Sequence, residues 1–126
     1  MKLGIDYGTK KMGIALSDEG ESFAFPHSIV EVAKMLDVVA VLVAEKGVDT
    51  IVLGYSVASN GAPNELARGA ETFKTKLEAL GVSVVLQRED FSSVEAHRYQ
   101  TKKGDRDDSA AAIILQRFLD KNRKID

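Results

Sequence analysis

The chain has 126 residues, the usual size of a single globular domain. Its apolar fraction of 44% and charged fraction of 29% are ordinary, and its net charge of −2 argues against a strongly electrostatic nucleic-acid binder. The lack of cysteine excludes disulfides, thiolate zinc sites and cysteine nucleophiles. The sequence has no apolar run long enough for a membrane span and no signal-peptide pattern, so we expect a cytoplasmic protein without a membrane partner.

The first thirty residues have the pattern of three short strands joined by turns. Apolar residues alternate at 3–7, a turn with Gly8 follows, and a second strand is predicted at 12–17. A third strand is predicted at 22–29, where Pro26 cannot donate to a ladder and so restricts this strand to an edge or an irregular end. Together these strands predict an antiparallel meander.

The rest of the chain alternates between helices and buried strands. Apolar residues at helical spacing predict amphipathic helices, and short continuous apolar runs predict strands that are covered on both faces. A capping-box pattern also predicts the start of a short helix at Ser92. The predicted helices are 31–46, 63–80, 92–101 and one around 111–119, and the predicted strands are 50–54 and 82–87.

This order of elements predicts one α/β domain over residues 1–126. Strand–helix–strand units connect in a right-handed sense and give parallel neighbours, so the first strand should run parallel to the strands at 50–54 and 82–87. The meander then extends the sheet antiparallel on one side. We expect a mixed five-stranded sheet, made of a three-stranded antiparallel meander and two parallel strands, with helices on both faces.

An acidic residue stands at the end of the first predicted strand. Asp6 follows apolar residues, and a buried carboxylate is unfavourable unless it is paired, hydrogen-bonded or bound to a cation. Glu89 and Asp90 follow the last predicted strand, and the carboxyl ends of parallel strands meet at one edge of a sheet. Asp107 or Asp108 could add a further acid from the sheet side of the last helix. We therefore expect these carboxylates to converge.

Converging carboxylates without cysteine or suitably spaced histidine are typical ligands of a hard cation such as Mg²⁺ or Mn²⁺. Two ions in such a site can activate a water and stabilise the leaving oxygen of a phosphodiester. Each acid also has a simpler explanation. Asp6 could accept hydrogen bonds from the following turn, and Asp107 or Asp108 could be a helix N-cap. Glu89 and Asp90 could form a solvated strand end.

Four segments carry a resemblance to a known family. Residues 3–18 are similar to its opening hairpin, 51–54 and 60–61 to its central strand and loop, 89–96 to its Asp-Glu-Arg-Leu-Thr segment, and 108–115 to its closing helix. Over nearly its whole length the chain thus resembles the YqgF/RuvX family of pre-16S rRNA nucleases and Holliday-junction resolvase-like proteins. The resemblance implies a ribonuclease H-like fold.

The resemblance also implies roles for individual residues. Asp6, Glu89 and Asp108 would be the catalytic acids that bind Mg²⁺ or Mn²⁺, which selects Glu89 over Asp90 and Asp108 over Asp107. Phosphate contacts position a strand without reading its sequence, so sequence specificity is not expected. The residues expected to contact nucleic acid are Thr9, Lys10, Lys11, Arg98, Lys102, Lys103 and Arg106.

Besides a short polar loop before the last helix, the chain departs from the family pattern at two further places. The family's Asp-Glu-Arg is Arg-Glu-Asp at 88–90, with the outer charges exchanged around the central glutamate. The family's Gly-Leu-Pro after the central strand is Gly-Tyr-Ser at 54–56, so a loop of different shape is expected there. The exchanged charges motivate an alternative function, in which the protein binds nucleic acid without cleaving it.

The leading hypothesis is a metal-dependent endonuclease that acts on structured RNA, as in 5′-end processing of pre-16S rRNA, or on branched DNA such as a Holliday junction. The alternative is a ribonuclease H-like module that binds nucleic acid or a ribosome-associated partner without cleaving it. Residues 6–9 also resemble the phosphate hairpin of sugar-kinase and actin-like ATPases, which need two such domains, whereas this chain has room for one. A resolvase must cut two strands symmetrically, which favours a homodimer. No apolar patch in the sequence marks an interface, so a monomer stays open as well.

Overall fold

Five strands form one mixed sheet in the part of the chain that the structure describes. The computed structural model describes residues 1–56, 65–89 and 109–122. The strands are β1 (Lys2–Asp6), β2 (Lys11–Ser17), β3 (Ala24–Glu31), β4 (Thr50–Ser56) and β5 (Ser83–Glu89). The helices are α1 (Val32–Lys46), α2 (Glu65–Glu78) and α3 (Ser109–Asn122). The predicted helix at 92–101 lies outside the described residues.

The strand order across the sheet is β3-β2-β1-β4-β5. β1 pairs antiparallel with β2, and β2 with β3, whereas β1 pairs parallel with β4, and β4 with β5. The meander and the two parallel neighbours are thus confirmed. Because β1, β4 and β5 run in the same direction, their carboxyl ends lie along one edge of the sheet.

Helices cover both faces of this sheet, as the apolar patterns predicted. α1 and α2 pack on one face through Met35, Val39, Leu42, Phe73 and Leu77, which join the larger core cluster. α3 packs on the other face, and its buried residues form a second core cluster with Ala15 and Val52 of the sheet. The buried residues of α3 are Ala111, Ile114, Leu115 and Leu119.

α3 packs directly against the backbone of two strands because the residues beneath it are glycines. A Cβ added at Gly4 would lie 2.7 Å from the Cβ of Leu115, and one added at Gly54 would lie 2.6 Å from the Cδ1 of Ile114. Real side chains do not approach so closely, so only glycine lets the helix settle at this depth.

A glycine sets the C-terminal end of α1, and a proline sets the position of β3. Gly47 has a left-handed backbone with φ 67°, and its N–H donates to the carbonyl of Val43 at 3.1 Å, which ends α1 as predicted. β3 is an edge strand, as Pro26 required, and its register shifts between Ile14 and Ala15 of β2. This irregularity places Pro26 opposite Ala15.

Two strands extend further than the sequence patterns predicted. β4 continues to Ser56, so Tyr55 and Ser56 are strand residues and do not open a loop. β5 continues to Glu89, because Ser56 and Glu89 pair in the parallel ladder. Hydrogen bonding between neighbouring strands holds these residues in extended form although the apolar run has already ended.

An ion pair ties β1 to the segment before β4 at the opposite edge of the sheet. The Nζ of Lys2 lies 2.9 Å from Oδ1 of Asp49. The hydrogen bond from Lys2 holds the pKa of the Asp49 carboxyl below its usual value. A carboxyl whose pKa is lower in the folded protein stabilises the fold above its unfolded-state pKa of about 3.9, and this stabilisation disappears as the pH falls through the folded-state pKa.

The Asp49→Asn variant tests this linkage. Because the Asp49 side chain is 61% exposed, the expected loss in the free energy of unfolding near neutral pH is no more than about 1 kcal/mol. The loss should shrink towards zero as the pH is lowered below the folded-state pKa. Urea unfolding of both proteins across an acid pH series measures it, and a loss that does not depend on pH would contradict the assignment.

None of the helices in the described residues combines the length and the apolar character needed to cross a bilayer.

Candidate functional site

Asp6 is the last residue of β1 and is buried, with 7% of its surface exposed. Its register partners are Gly13 on β2 and Gly54 on β4, so neither neighbouring strand places a side chain beside the carboxylate. The next residue, Tyr7, donates its backbone N–H to the carbonyl of Gly54 at 2.8 Å, which continues the pairing past the end of the strand. The local sequence therefore holds Asp6 in a buried place at the carboxyl edge.

Glu89 is the last residue of β5 and is only 2% exposed. The solvated strand end considered for Glu89 is therefore wrong. Gln87 donates from Nε2 to Oε2 of Glu89 at 2.6 Å, and the guanidinium of Arg117 donates to Oε1. The carboxylate is thus fixed by a neutral donor from its own strand and by a cation from α3.

Asp6 and Glu89 lie on the same face of the sheet. Gly4 faces α3, and Asp6 is two residues further along β1, so its side chain is on the α3 side as well. Gln87 faces α3 because its Nε2 donates to the carbonyl of Ile114 at 2.9 Å, and Glu89 is two residues further along β5.

The ladder registers give the separation of the two acids. Asp6 pairs with Gly54, and Gly54 pairs with Gln87, so Glu89 lies two strands across and two residues further along the sheet. Ordinary strand spacings then place the Cα atoms of Asp6 and Glu89 roughly 12 Å apart. An aspartate and a glutamate pointing towards each other can span this distance with one or two metal ions between them.

The two acids at this edge, Asp6 and Glu89, offer carboxylate oxygens, which are the ligands that a hard cation prefers. Within residues 1–56, 65–89 and 109–122, no cluster of three or more His, Asp or Glu side chains could hold a metal ion. Asp108, Asp107 and Asp90 lie outside the described residues. Of the three acids predicted to bind the metal, the described residues thus include Asp6 and Glu89.

Of the predicted nucleic-acid contacts, Thr9 and Lys10 lie in the turn after β1, and Lys11 follows directly as the first residue of β2. Thr9, Lys10 and Lys11 are all exposed. The turn is anchored, because the backbone N–H of Val32 donates to the carbonyl of Lys10 at 2.9 Å. Arg98, Lys102, Lys103 and Arg106 lie outside the described residues.

Neither Gln87 nor Arg117 is indicated as a site residue by the sequence patterns. Gln87 stands at the end of the predicted strand at 82–87 and belongs to no motif. Arg117 could have been found from spacing, because it follows Ile114 by three residues and so borders the buried stripe of α3. The contact of Arg117 with Glu89 could not have been found from spacing, because it depends on how α3 crosses β5.

Comparison with protein families identifies this architecture. The family model described as "RuvX: Holliday junction resolvase" matches residues 1–121. The chain belongs to the RuvX family. The resemblance of the hairpin, central strand and closing helix to this family is thereby confirmed, and the chain is a member of a nuclease family.

Curated members of the RuvX family align over almost the whole chain. The relatives described below each carry the name "Putative pre-16S rRNA nuclease". The relative from Salinibacter ruber is 35% identical, covering 94% of this chain and 92% of its own length. The relative from Geobacillus thermodenitrificans is also 35% identical, covering 96% and 98%. The relative from Chlorobium luteolum is 32% identical, covering 96% and 94%.

Solved structures confirm the ribonuclease H-like fold expected for the RuvX family. Thermus thermophilus RuvC in complex with Holliday junction substrate superposes with a TM-score of 0.58 at 17% identity, covering 94% of this chain and 92% of that one. The Fowlpox virus resolvase in complex with Holliday junction DNA gives 0.56 at 10% identity, covering 96% and 99%. At these identities the likeness concerns the fold alone.

Proposed function

We propose that this protein is a divalent-metal-dependent endonuclease that hydrolyses phosphodiester bonds in structured RNA or branched DNA. The observation that carries the proposal is the placement of Asp6 and Glu89, two buried carboxylates on one face of the sheet at the carboxyl edge of its parallel strands. Ligands of open α/β sheets bind at this edge. Membership of a nuclease family over nearly the whole chain supports the same activity.

Burial makes these two acids suited to bind a cation. A carboxylate removed from water is costly unless opposite charge or hydrogen bonds compensate it, and a bound Mg²⁺ or Mn²⁺ supplies that charge. When bound, such an ion would activate the attacking water and stabilise the leaving oxygen of the phosphodiester. Asp6 and Glu89 would hold it together with Asp108, which directly precedes α3 in the sequence.

The turn after β1 is suited to bind the nucleic-acid backbone. Lys10 and Lys11 are exposed and begin four residues after Asp6, so the backbone that carries them lies at the same edge of the sheet as the acids. Lysines bind phosphates as point charges and do not select bases. We extend the same role to Thr9 in the turn and to the basic residues that cluster further along the sequence, Arg98, Lys102, Lys103 and Arg106.

The turn lysines give a prediction about binding. Replacing both Lys10 and Lys11 by glutamine should weaken binding of every substrate similarly and reduce the slope of log K against log salt by about 2. Fluorescence anisotropy at several salt concentrations measures both effects. Lys34→Gln, which removes an exposed charge from α1, is the control and should leave the slope unchanged. If binding to one nucleic-acid sequence alone became weaker, this would contradict contacts of the two lysines with the phosphate backbone.

The proposed activity is tested with purified protein and two substrates. One is an RNA that spans the 5′ end of 16S rRNA with its precursor leader, and the other is a four-way DNA junction. Each is incubated with Mg²⁺, with Mn²⁺ and with EDTA. Cleavage that needs the metal supports the proposal, and the preferred substrate decides between RNA processing and junction resolution. Intact substrates under all conditions, with the protein folded, would reject it.

One observation favours the alternative of a binding module without catalysis. In the structure, Arg117 already neutralises Glu89, so this carboxylate has a stable partner within the chain. A binding module would bind nucleic acid with a strong salt dependence and leave it intact at every metal concentration. The same assay separates the two functions, because binding and cleavage are measured on the same substrates.

A further inference from the structure

The two groups that hold Glu89 differ in how firmly they are fixed. Gln87 is buried, and its amide nitrogen donates both to Oε2 of Glu89 at 2.6 Å and to the carbonyl of Ile114 at 2.9 Å. Arg117, which donates to Oε1 of Glu89, has 29% of its side chain exposed. One carboxylate oxygen is therefore held by a group deep in the structure, and the other by a group with access to water.

This difference decides which of the two contacts is easier to break. The amide of Gln87 has two N–H donors, and both are used, so moving it would leave buried acceptors on Glu89 and Ile114 without a donor. Arg117 has a long flexible side chain whose guanidinium can be hydrated at the surface. Release of Arg117 moves its charge into solvent, and the buried Glu89 carboxylate then needs another cation, which a bound divalent ion would supply.

We infer that Arg117 is a positioning residue that occupies Oε1 of Glu89 in the metal-free protein and is displaced when a divalent cation binds there. A guanidinium and a metal ion cannot share this oxygen cheaply, because like charges a few ångströms apart repel strongly at a buried site. Gln87 stays on Oε2 and keeps the carboxylate oriented. The inference rests on the proposed function, since it requires Glu89 to be a metal ligand.

The inference predicts opposite effects for two substitutions next to the same carboxylate. Arg117→Gln should tighten the Kd for Mn²⁺ by about tenfold, because the competing charge-assisted hydrogen bond is gone. Gln87→Leu should weaken the Kd by about tenfold or more, because Glu89 loses its fixed orientation. Isothermal titration of Mn²⁺ into each folded variant measures both, and circular dichroism verifies the fold.

Arg88→Gln is the matched control. It removes the same charge from the neighbouring residue of β5, whose side chain is exposed and points to the other face of the sheet. The control should change the Kd for Mn²⁺ by less than about threefold, because an exposed charge is screened by solvent. Unchanged or weaker binding by Arg117→Gln, or equal tightening by Arg88→Gln, would overturn the inference.

A measurement on the unmodified protein covers the case in which Arg117→Gln does not fold. In ¹⁵N-labelled protein titrated with Mg²⁺, the side-chain Nε–H resonance of Arg117 should shift, and its exchange with water should become faster. An unchanged resonance at saturating Mg²⁺ would overturn the displacement.

The outcomes also separate this inference from the function on which it rests. A wild-type protein that binds Mn²⁺ and cleaves its substrate, but whose Arg117 resonance and Arg117→Gln affinity do not change, refutes only the role of Arg117. A wild-type protein that binds no Mn²⁺ even at millimolar concentrations refutes the metal site and the role of Arg117 together.

Discussion

Replacing Asp6 by asparagine is expected to lower the rate of metal-dependent cleavage at least about 100-fold. The substitution keeps the shape of the side chain but removes the negative charge that a divalent cation requires. Because Asp6 is buried and flanked in register by Gly13 and Gly54, no neighbouring side chain on β1, β2 or β4 can take its place. Single-turnover cleavage with Mg²⁺ and with Mn²⁺ measures the loss.

Asp37→Asn is the control for this variant. Asp37 is exposed on α1, on the other face of the sheet, so the same chemical change there should leave the rate within about twofold of wild type. Titration with Mn²⁺ gives a second readout, in which only Asp6→Asn should lose affinity. If Asp6→Asn cleaves as fast as wild type while remaining folded, the assignment of Asp6 as a metal ligand is wrong.

The largest expected effect on stability comes from Gly4→Ala, which should lower the free energy of unfolding by about 1–3 kcal/mol. The added Cβ would lie 2.7 Å from the Cβ of Leu115 and 3.1 Å from the carbonyl oxygen of Ala111. Neither atom can rotate away, because one belongs to the helix backbone and the other is attached directly to it. α3 must therefore move away from the sheet. Urea denaturation followed by circular dichroism measures the change.

Gly20→Ala provides the matched control. Its Cβ would meet only Oδ2 of Asp18 at 3.6 Å, which is an ordinary contact. Both substitutions reduce the freedom of the unfolded chain in the same way, so the difference between them reports the clash with α3. Equal stability of the two variants would show that α3 is not seated on Gly4 as described.

The fold could be predicted because its local signals agree with each other. Alternation in the first strands, the helical spacing that ends at Gly47, and the continuous apolar run at 51–53 each indicate one kind of element. The right-handed connection of parallel strands then leaves few ways to arrange them. Pro26 further indicated that its strand lies at an edge of the sheet, since proline is tolerated there.

The ends of β4 and β5 could not be predicted from local patterns. Tyr55 and Ser56 follow a glycine and have no apolar repeat, yet the pairing of Ser56 with Glu89 keeps both strands extended. This pairing joins residues that are 33 positions apart in the sequence. The burial of Glu89 follows from it, because the strand end is covered by α3 and not left in solvent.

The candidate site was predictable in part, and for a definite reason. Asp6 and Glu89 could be proposed because the carboxyl ends of parallel strands meet at one edge, which topology alone provides. The contacts of Glu89 with Gln87 and Arg117 depend on the angle and depth at which α3 crosses the sheet. That depth is set by Gly4 and Gly54. The sequence alone does not show that these two glycines lie beneath α3.

The irregular edge of β3 has a consequence for how molecules of this protein meet one another. An uncovered border strand can template the addition of a strand from a second molecule, which leads to fibrous association. At this border Pro26 lacks the N–H that a newcomer would need, and the register shift opposite Ile14 and Ala15 disturbs the regular spacing on either side. The meander thus ends in a strand that discourages further growth of the sheet, although Phe25 within β3 and Phe23 just before it are exposed.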